Sequence, residues 1–293
     1  MRQRIPIVLA RLLLLVAGLS SPSVAEAQVR GVVHQRLIAL LNPMGTQHDL
    51  RVGFRAPLGD QSELLFDGAH IEGGAVSYLS PVFAVHGGYL SVSPLSFLVL
   101  HAEFAGGPTW PIGMDGAGYY GLSSYAEPLL PQTLAAERAG GADGWEVTLG
   151  ATLQGAIPLG DGARLLLADS LNAHHATTSG GASHYYSMRY DLIAAEQDWI
   201  IENDAVALLD LTLLPGTHLL LGAYDATRYV PASGYVGHQV GGIAILTFAD
   251  PSPEVTSVGV FVRGGAYTDH LLREEEPTIL GGVSVSYDLG SVR

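Results

Sequence analysis

Residues 145–157, Trp-Glu-Val-Thr-Leu-Gly-Ala-Thr-Leu-Gln-Gly-Ala-Ile, constrain the fold more than any other stretch. Trp145, Val147, Leu149, Ala151, Leu153, Gly155 and Ile157 fall on one side of an extended chain. Glu146, Thr148, Gly150, Thr152, Gln154 and Ala156 fall on the other. A period of two marks a strand, because successive side chains of extended backbone point to opposite faces. The run is also long. At ~3.3 Å per residue it covers about 40 Å, whereas ordinary strands have ~5–6 residues and a tilted bilayer-crossing strand needs ~9–11. An apolar face and a polar face over that length fit a strand with lipid on one side and water on the other. The turn at 158–163 and the apolar run after it supply the second arm of a hairpin.

The same rhythm recurs along the chain. Strands are expected over 47–57, 64–78, 82–92, 96–105, 145–157, 164–172, 185–199, 205–214, 218–230, 236–248, 256–270 and 278–289. The fold class is therefore all-β: a single antiparallel up-and-down transmembrane β-barrel of about twelve strands, with ten to fourteen compatible with the pattern. Gly73-Gly74 and Gly87-Gly88 interrupt two strands and are expected as bulges or sharp bends. Residues 106–144 form a long loop rich in Pro, Gly and Tyr, with a short helix expected over 131–139. That loop either stays outside or folds inward and narrows the lumen. A second polar loop is expected over 173–183. Residues 28–46 form an N-terminal segment of ambiguous type, and a strand at 29–41 would change the total. The barrel proper is placed at 47–293. Strand parity puts the turn at Pro215 on the opposite end from those at Gly59, Pro94 and Gly160, so one strand near them is miscounted or one outer hairpin is short.

Residues 1–27 have the form of a secretory signal peptide: Arg2, Arg4 and Arg11, an apolar core at 12–19, and Ala25-Glu26-Ala27 before Gln28. No later stretch is apolar for the ~18 residues a spanning helix needs, so any membrane crossing is by strands. Cysteine is absent, which excludes a disulfide scaffold. Removing Arg2, Arg4, Arg11 and Glu26 takes the net charge from −14 to −16. A chain so acidic gains no counterion-release affinity for nucleic acid. The basic residues are all arginine, and the 37 glycines and 13 tyrosines suit a barrel with interfacial aromatics.

In the last strand Ile279, Gly281, Val283, Val285, Tyr287 and Leu289 alternate with Leu280, Gly282, Ser284, Ser286 and Asp288. Gly282 followed by Val285, Tyr287 and Leu289 resembles the C-terminal sorting signal of Gram-negative outer-membrane proteins. The resemblance is to that class and covers the signal peptide, the strand rhythm and this end. It departs from the class after Leu289, where Gly290-Ser291-Val292-Arg293 replaces a terminal aromatic residue. It implies a location in the cell outer membrane, contact with outer-membrane lipid, and insertion by the barrel assembly machinery.

Function is read from the polar faces. Arg51, Arg55, Glu146, Gln154, Asp210, Arg263, Asp269 and Asp288 lie opposite apolar sets and are candidates to line a pore. Glu274, Glu275 and Glu276 are candidates for its rim. The leading expectation is a passive, weakly cation-preferring pore for small polar solutes, with no cofactor. The alternative is a non-conducting structural barrel that presents its loops, and a third reading is an outer-membrane hydrolase. Asp269-His270 near the rim acids, Asp198 and Asp204 at a strand end, and Ser170 and Asn172 near His174 are the acid, base and hydroxyl groups a hydrolase would need. His174-His175 with His184, expected in a solvated loop, could hold a metal. His70, His86 and His101 could cluster with Glu72 and Glu103. A soluble secreted β-protein is the fold-level alternative.

Overall fold

The computed structural model describes residues 29–42, 44–110, 119–129 and 138–291. In chain order its strands are β1 (Arg30–Leu41), β2 (Gly45–Pro57), β3 (His70–Ser80), β4 (Phe83–Leu95), β5 (Leu98–Thr109), β6 (Tyr119–Leu122), β7 (Ala139–Gly140), β8 (Ala142–Gly160) and β9 (Ala163–Thr178). These are followed by β10 (His184–Ser187), β11 (Leu192–Ala195), β12 (Gln197–Leu214), β13 (Thr217–Val230), β14 (Tyr235–Ala249), β15 (Val255–Asp269) and β16 (Pro277–Ser291). Twelve of them close an antiparallel barrel in the order β1-β2-β3-β4-β5-β8-β9-β12-β13-β14-β15-β16, with β16 returning to β1. The other four form a small sheet, β11-β10-β6-β7. The expected signal peptide at 1–27 and most of the expected helix at 131–139 lie outside the described residues.

Two sequence expectations fail in opposite directions and leave the total at twelve. Arg30–Leu41, read as an ambiguous segment, is β1, and it zips onto both β2 and β16. Its alternation is masked because Ile38 and Leu40 fill the inward face beside outward Leu37 and Leu41. The stretch 185–199 is not a wall strand. Residues 184–195 form a separate hairpin, and β12 runs unbroken from Gln197 to Leu214. With one fewer strand between Gly160 and Pro215, both turns fall on one end of the barrel. That end also carries the start of β1 at Arg30, the end of β16 at Ser291 and the tight turns at 161–162 and 215–216, and by the rule for outer-membrane barrels it faces the periplasm. The two longest connections, at 110–141 and 179–196, and the 270–276 loop share the opposite, extracellular end, while the 58–69 connection is the one long segment among the periplasmic turns. The glycine pairs are not bulges: the β2–β3 and β3–β4 ladders pass through them in register. A side chain at Gly74 or Gly87 would strike backbone, 2.1 Å from Val52 O and 1.9 Å from Phe104 O respectively.

The outer wall is apolar and uncovered. Leu149 and Val283 are 41% and 42% exposed, and Leu153, Leu209, Leu221, Val260 and Val262 belong to the same band. Toward the extracellular end Phe104, Trp145, His175 and Trp199 form a chain of ring contacts with centroids 6.2, 5.6 and 4.9 Å apart. An apolar band edged by aromatic rings is how a barrel meets the two zones of a bilayer. One patch departs from this rule. Asn203 donates to Asp169 at 2.6 Å, and the His238 ring lies 2.9 Å from the Asp225 carboxylate, all four on the outward alternation of β9, β12, β13 and β14.

Candidate functional site at the extracellular mouth

The inward alternation carries the charge. His34 on β1 reaches Glu72 on β3 at 3.4 Å, and Arg51 on β2 reaches Glu103 on β5 at 3.1 Å. Contacts that skip strands can be made only across the interior. Arg55 pairs with Glu72 at 2.6 Å, and Tyr89 donates to the same carboxylate. Tyr78 donates to Glu103 at 2.8 Å. Nearer the periplasm Arg164 pairs with Asp210 at 2.6 Å and Arg30 with Asp288 at 2.9 Å. Burying a carboxylate is expensive unless it is paired and hydrogen-bonded, and an all-arginine chain supplies planar forks suited to that pairing.

The mouth is crossed by the β10–β11 hairpin. Its tip, Met188-Arg189-Tyr190-Asp191, touches strands spaced around the circumference. Arg189 lies 3.4 Å from Glu146 on β8 and stacks 4.7 Å from the centroid of the Tyr78 ring on β3. Tyr190 donates to Glu146 at 2.5 Å, and Arg228 on β13 donates to the Tyr190 carbonyl at 2.9 Å. Asp191 accepts from Tyr186, from Arg273 in the 270–276 loop, and from Tyr267 on β15 at 3.1 Å. Asp191 adopts φ +55°, a left-handed turn conformation that short polar residues such as Asp tolerate. Burial pushes its carboxyl up. Hydrogen bonding and charge from His270, with Arg273 and Tyr186, outweigh that and hold it at about 2. At the base of the hairpin, Tyr125 from the first loop donates to Asp198 at 2.6 Å.

Several expected groupings are not formed. Arg51, Arg55, Glu146, Asp210, Arg263 and Asp288 do face inward, and Gln154 lies on the same face near the periplasmic end, donating to the Ser96 carbonyl. Asp269 is exposed at the rim of β15 and is not joined to His270, which pairs with Asp191 at 3.1 Å. Glu274 and Glu275 are exposed on the extracellular loop, and Glu276 accepts from Asn42. His174 and His175 are not in a solvated loop but on β9, pointing to opposite faces. His174 is buried between Glu146 and Glu202, with ring nitrogens at 3.2 and 3.0 Å, the second contact lacking hydrogen-bond alignment. Ser170 bonds Thr152, so it does not serve His174. His86 lies on the outward alternation, and His70 bonds the Gly68 carbonyl at the periplasmic end, so neither joins His101. Among the described residues no three His, Asp or Glu side chains converge in a metal-site arrangement. The residues the sequence reading missed are Arg189, Tyr190, Asp191, Arg228 and Glu202. The signal for the first three is a Tyr-Asp turn flanked by short runs, hidden by reading 185–199 as one strand.

No family model and no curated protein matches the chain. By shape it is similar to the β domain of the Bordetella autotransporter Brka, at 9% identity and TM-score 0.48 over 89% of this chain and 99% of that one. It is similar also to the NanC porin, at 7% and 0.39 over 88% and 100%, and to an outer-membrane channel of Pseudomonas putida F1, at 11% and 0.39 over 89% and 95%. These likenesses are of fold alone. The closed ladder, the apolar outer band and the row of aromatic side chains along part of its extracellular edge make this chain a transmembrane β-barrel of the bacterial outer-membrane type.

Proposed function

We propose that the barrel is a passive pore for small polar solutes, weakly preferring cations, in which the β10–β11 hairpin forms the constriction. The observation that carries this reading is the exposure of inward-facing arginines beyond the hairpin tip. The side chains of Arg36, Arg55 and Arg164 are 53%, 41% and 53% exposed, while the carboxylates they hold are buried. Guanidinium groups in that state face water, so the interior is read as a solvated passage rather than a packed core. The paired charges leave the passage lined but nearly neutral. Solutes would then be filtered by size and by local charge at the mouth.

The ring of contacts around the hairpin tip favours a second reading, a barrel closed in its resting state that presents its outer loops. Single-channel recording in a planar bilayer separates the two. Discrete conductance steps from the unmodified protein support the pore. Steps that appear only after Arg189 and Asp191 are both replaced by alanine support the closed barrel, and no steps from either protein count against conduction altogether.

A further inference from the structure

Nine of the ten arginines among the described residues lie against a carboxylate: 30, 36, 51, 55, 138, 164, 189, 228 and 273. Arg263 is the exception. It donates to Gln239 at 3.1 Å and lies 4.2 Å over the Tyr224 ring. The acids show a matching exception. Apart from Asp269 at the rim, Asp204 is the one inward-facing wall carboxylate among the described residues with neither an ion pair nor a hydrogen bond.

The two exceptions are neighbours. Asp204 pairs in register with Ala226 on β13, and Ala226 pairs with Gln239 on β14. Arg263 therefore delivers its guanidinium to the row of Asp204, two strands away. With strands ~4.8 Å apart, the opposite charges stand about 10 Å from each other across the methyl group of Ala226. Beside Asp204 is a cleft beneath the hairpin, lined by Asp204, Ala226, Arg228 and Gln239 among others; Asp204 is exposed, and Arg263 stands behind Gln239, outside the lining itself. Arg228 makes its ion pair with Glu202 at 2.7 Å and acts on Asp204 only through its longer-range charge, as Arg263 does.

We infer that Asp204 and Arg263 form a binding site for small zwitterions of the amino-acid type, with the ammonium group at Asp204 and the carboxylate on the Arg263 fork. The gap suits a ligand whose own charges are a few ångströms apart and which makes one charge-assisted contact at each end. A simple cation or anion gains one of these contacts and meets a like charge at the other. The inference rests on the pore reading for its route of access, and it names the solute class of that pore.

The test is block of ionic current through the full-length protein in planar bilayers at 0.1 M KCl. The probes are glycine, β-alanine and γ-aminobutyrate, with propanamide, ethanolamine and propionate as neutral, cationic and anionic comparators. The best zwitterion should half-block at a concentration at least tenfold below each comparator. Asp204→Asn and Arg263→Gln should each raise that concentration at least fivefold, Arg263→Lys should keep most of the effect, and the double swap Asp204→Arg with Arg263→Glu should restore it. Heat-modifiable migration on gels confirms that each variant is folded. A conducting pore blocked equally by zwitterions and propanamide overturns the inference and leaves the pore reading intact. If the protein does not conduct, saturation-transfer NMR on the detergent-solubilised barrel with the same probes decides. Saturable β-alanine binding lost in Asp204→Asn upholds the site without the pore, and no saturable binding sinks both.

Discussion

Arg189 at the hairpin tip lies 3.4 Å from the Glu146 carboxylate and at the same time over the Tyr78 ring, joining walls that are three strands apart in the barrel. The hairpin is thus a bar across the mouth, and its docking depends on a partly desolvated ion pair. Removing one partner of a buried pair costs about 3–5 kcal/mol, because the other charge is stranded. His174 remains beside Glu146 and reduces that figure. Arg189→Ala should therefore loosen the hairpin without unfolding the wall. The expected result is a mean conductance at least doubled, with heat-modifiable migration unchanged. Unaltered conductance would show that the hairpin does not limit flux.

The hairpin should also respond to acid. Asp191 is held at about 2 in the docked state, below the ordinary 3.8 of a free Asp. A depressed carboxyl stabilises docking fully above the free value, and that contribution is lost as pH falls through the docked value. By linkage it amounts to about 2 kcal/mol. Conductance should be steady from pH 7 to about pH 4 and rise between pH 4 and pH 2. In Asp191→Asn the step should vanish. A step in the wild type centred near neutral pH would assign the latch to a different group.

Leu149 and Thr152 test the facing of the wall. Leu149 belongs to the exposed outer band, whereas Thr152 points inward to Ser170 at 2.8 Å. A basic charge facing mid-membrane lipid costs roughly 2–4 kcal/mol. Leu149→Arg should sharply reduce the heat-modifiable barrel recovered from outer-membrane fractions, and Thr152→Arg should reduce it little. Equal recovery of the two variants would contradict the band.

What could be read from the sequence followed the strength of each local pattern. Residues 145–157 alternate cleanly because the outward face is Leu, Val and Trp and the inward face is Glu, Thr and Gln. The strand type, the facing of Leu149 and the candidates Arg51, Arg55, Glu146, Asp210 and Arg263 follow from that period alone. Arg30–Leu41 was obscure because apolar Ile38 and Leu40 fill its inward face. The hairpin was obscure for a different reason. His184–Ser187 and Leu192–Ala195 have strand-like residues, but they pair with each other and with Tyr119–Leu122 rather than with the wall. Local propensity cannot distinguish those partners. The union of Arg189 with Tyr78 and Glu146 joins positions far apart in sequence, and no spacing within one strand announces it.

The outer wall offers a test of its polar exception. Asp169 and Asn203 hydrogen-bond each other at 2.6 Å on the lipid side of β9 and β12. A polar pair facing hydrocarbon is tolerated only because its members satisfy each other. Replacing both with leucine removes the desolvation penalty and leaves no orphan. The double variant should migrate as folded barrel to the same or a higher temperature than the wild type, while Asn203→Leu alone, which strands Asp169, should fall below it. A double variant less stable than the single one would mean that this face packs against something other than lipid.

Charge selectivity should originate at the rim rather than in the lumen. Inside, Arg55 cancels Glu72, Arg51 cancels Glu103 and Arg164 cancels Asp210, and the unpaired Asp204 and Arg263 offset each other in net charge. On the extracellular loop Arg273 is committed to Asp191, which leaves exposed Glu274 and Glu275, with Glu276 held by Asn42. Acids at a pore mouth concentrate cations, and their reach is a Debye length of ~10 Å at 0.1 M salt and ~3 Å at 1 M. Reversal potentials across a salt gradient should show a modest cation preference at 0.1 M that largely disappears near 1 M. Replacing Glu274, Glu275 and Glu276 with glutamine should reduce the low-salt preference at least twofold without changing conductance at 1 M. Anion preference at low salt would place the controlling field on Arg263, the one described arginine without a carboxylate partner.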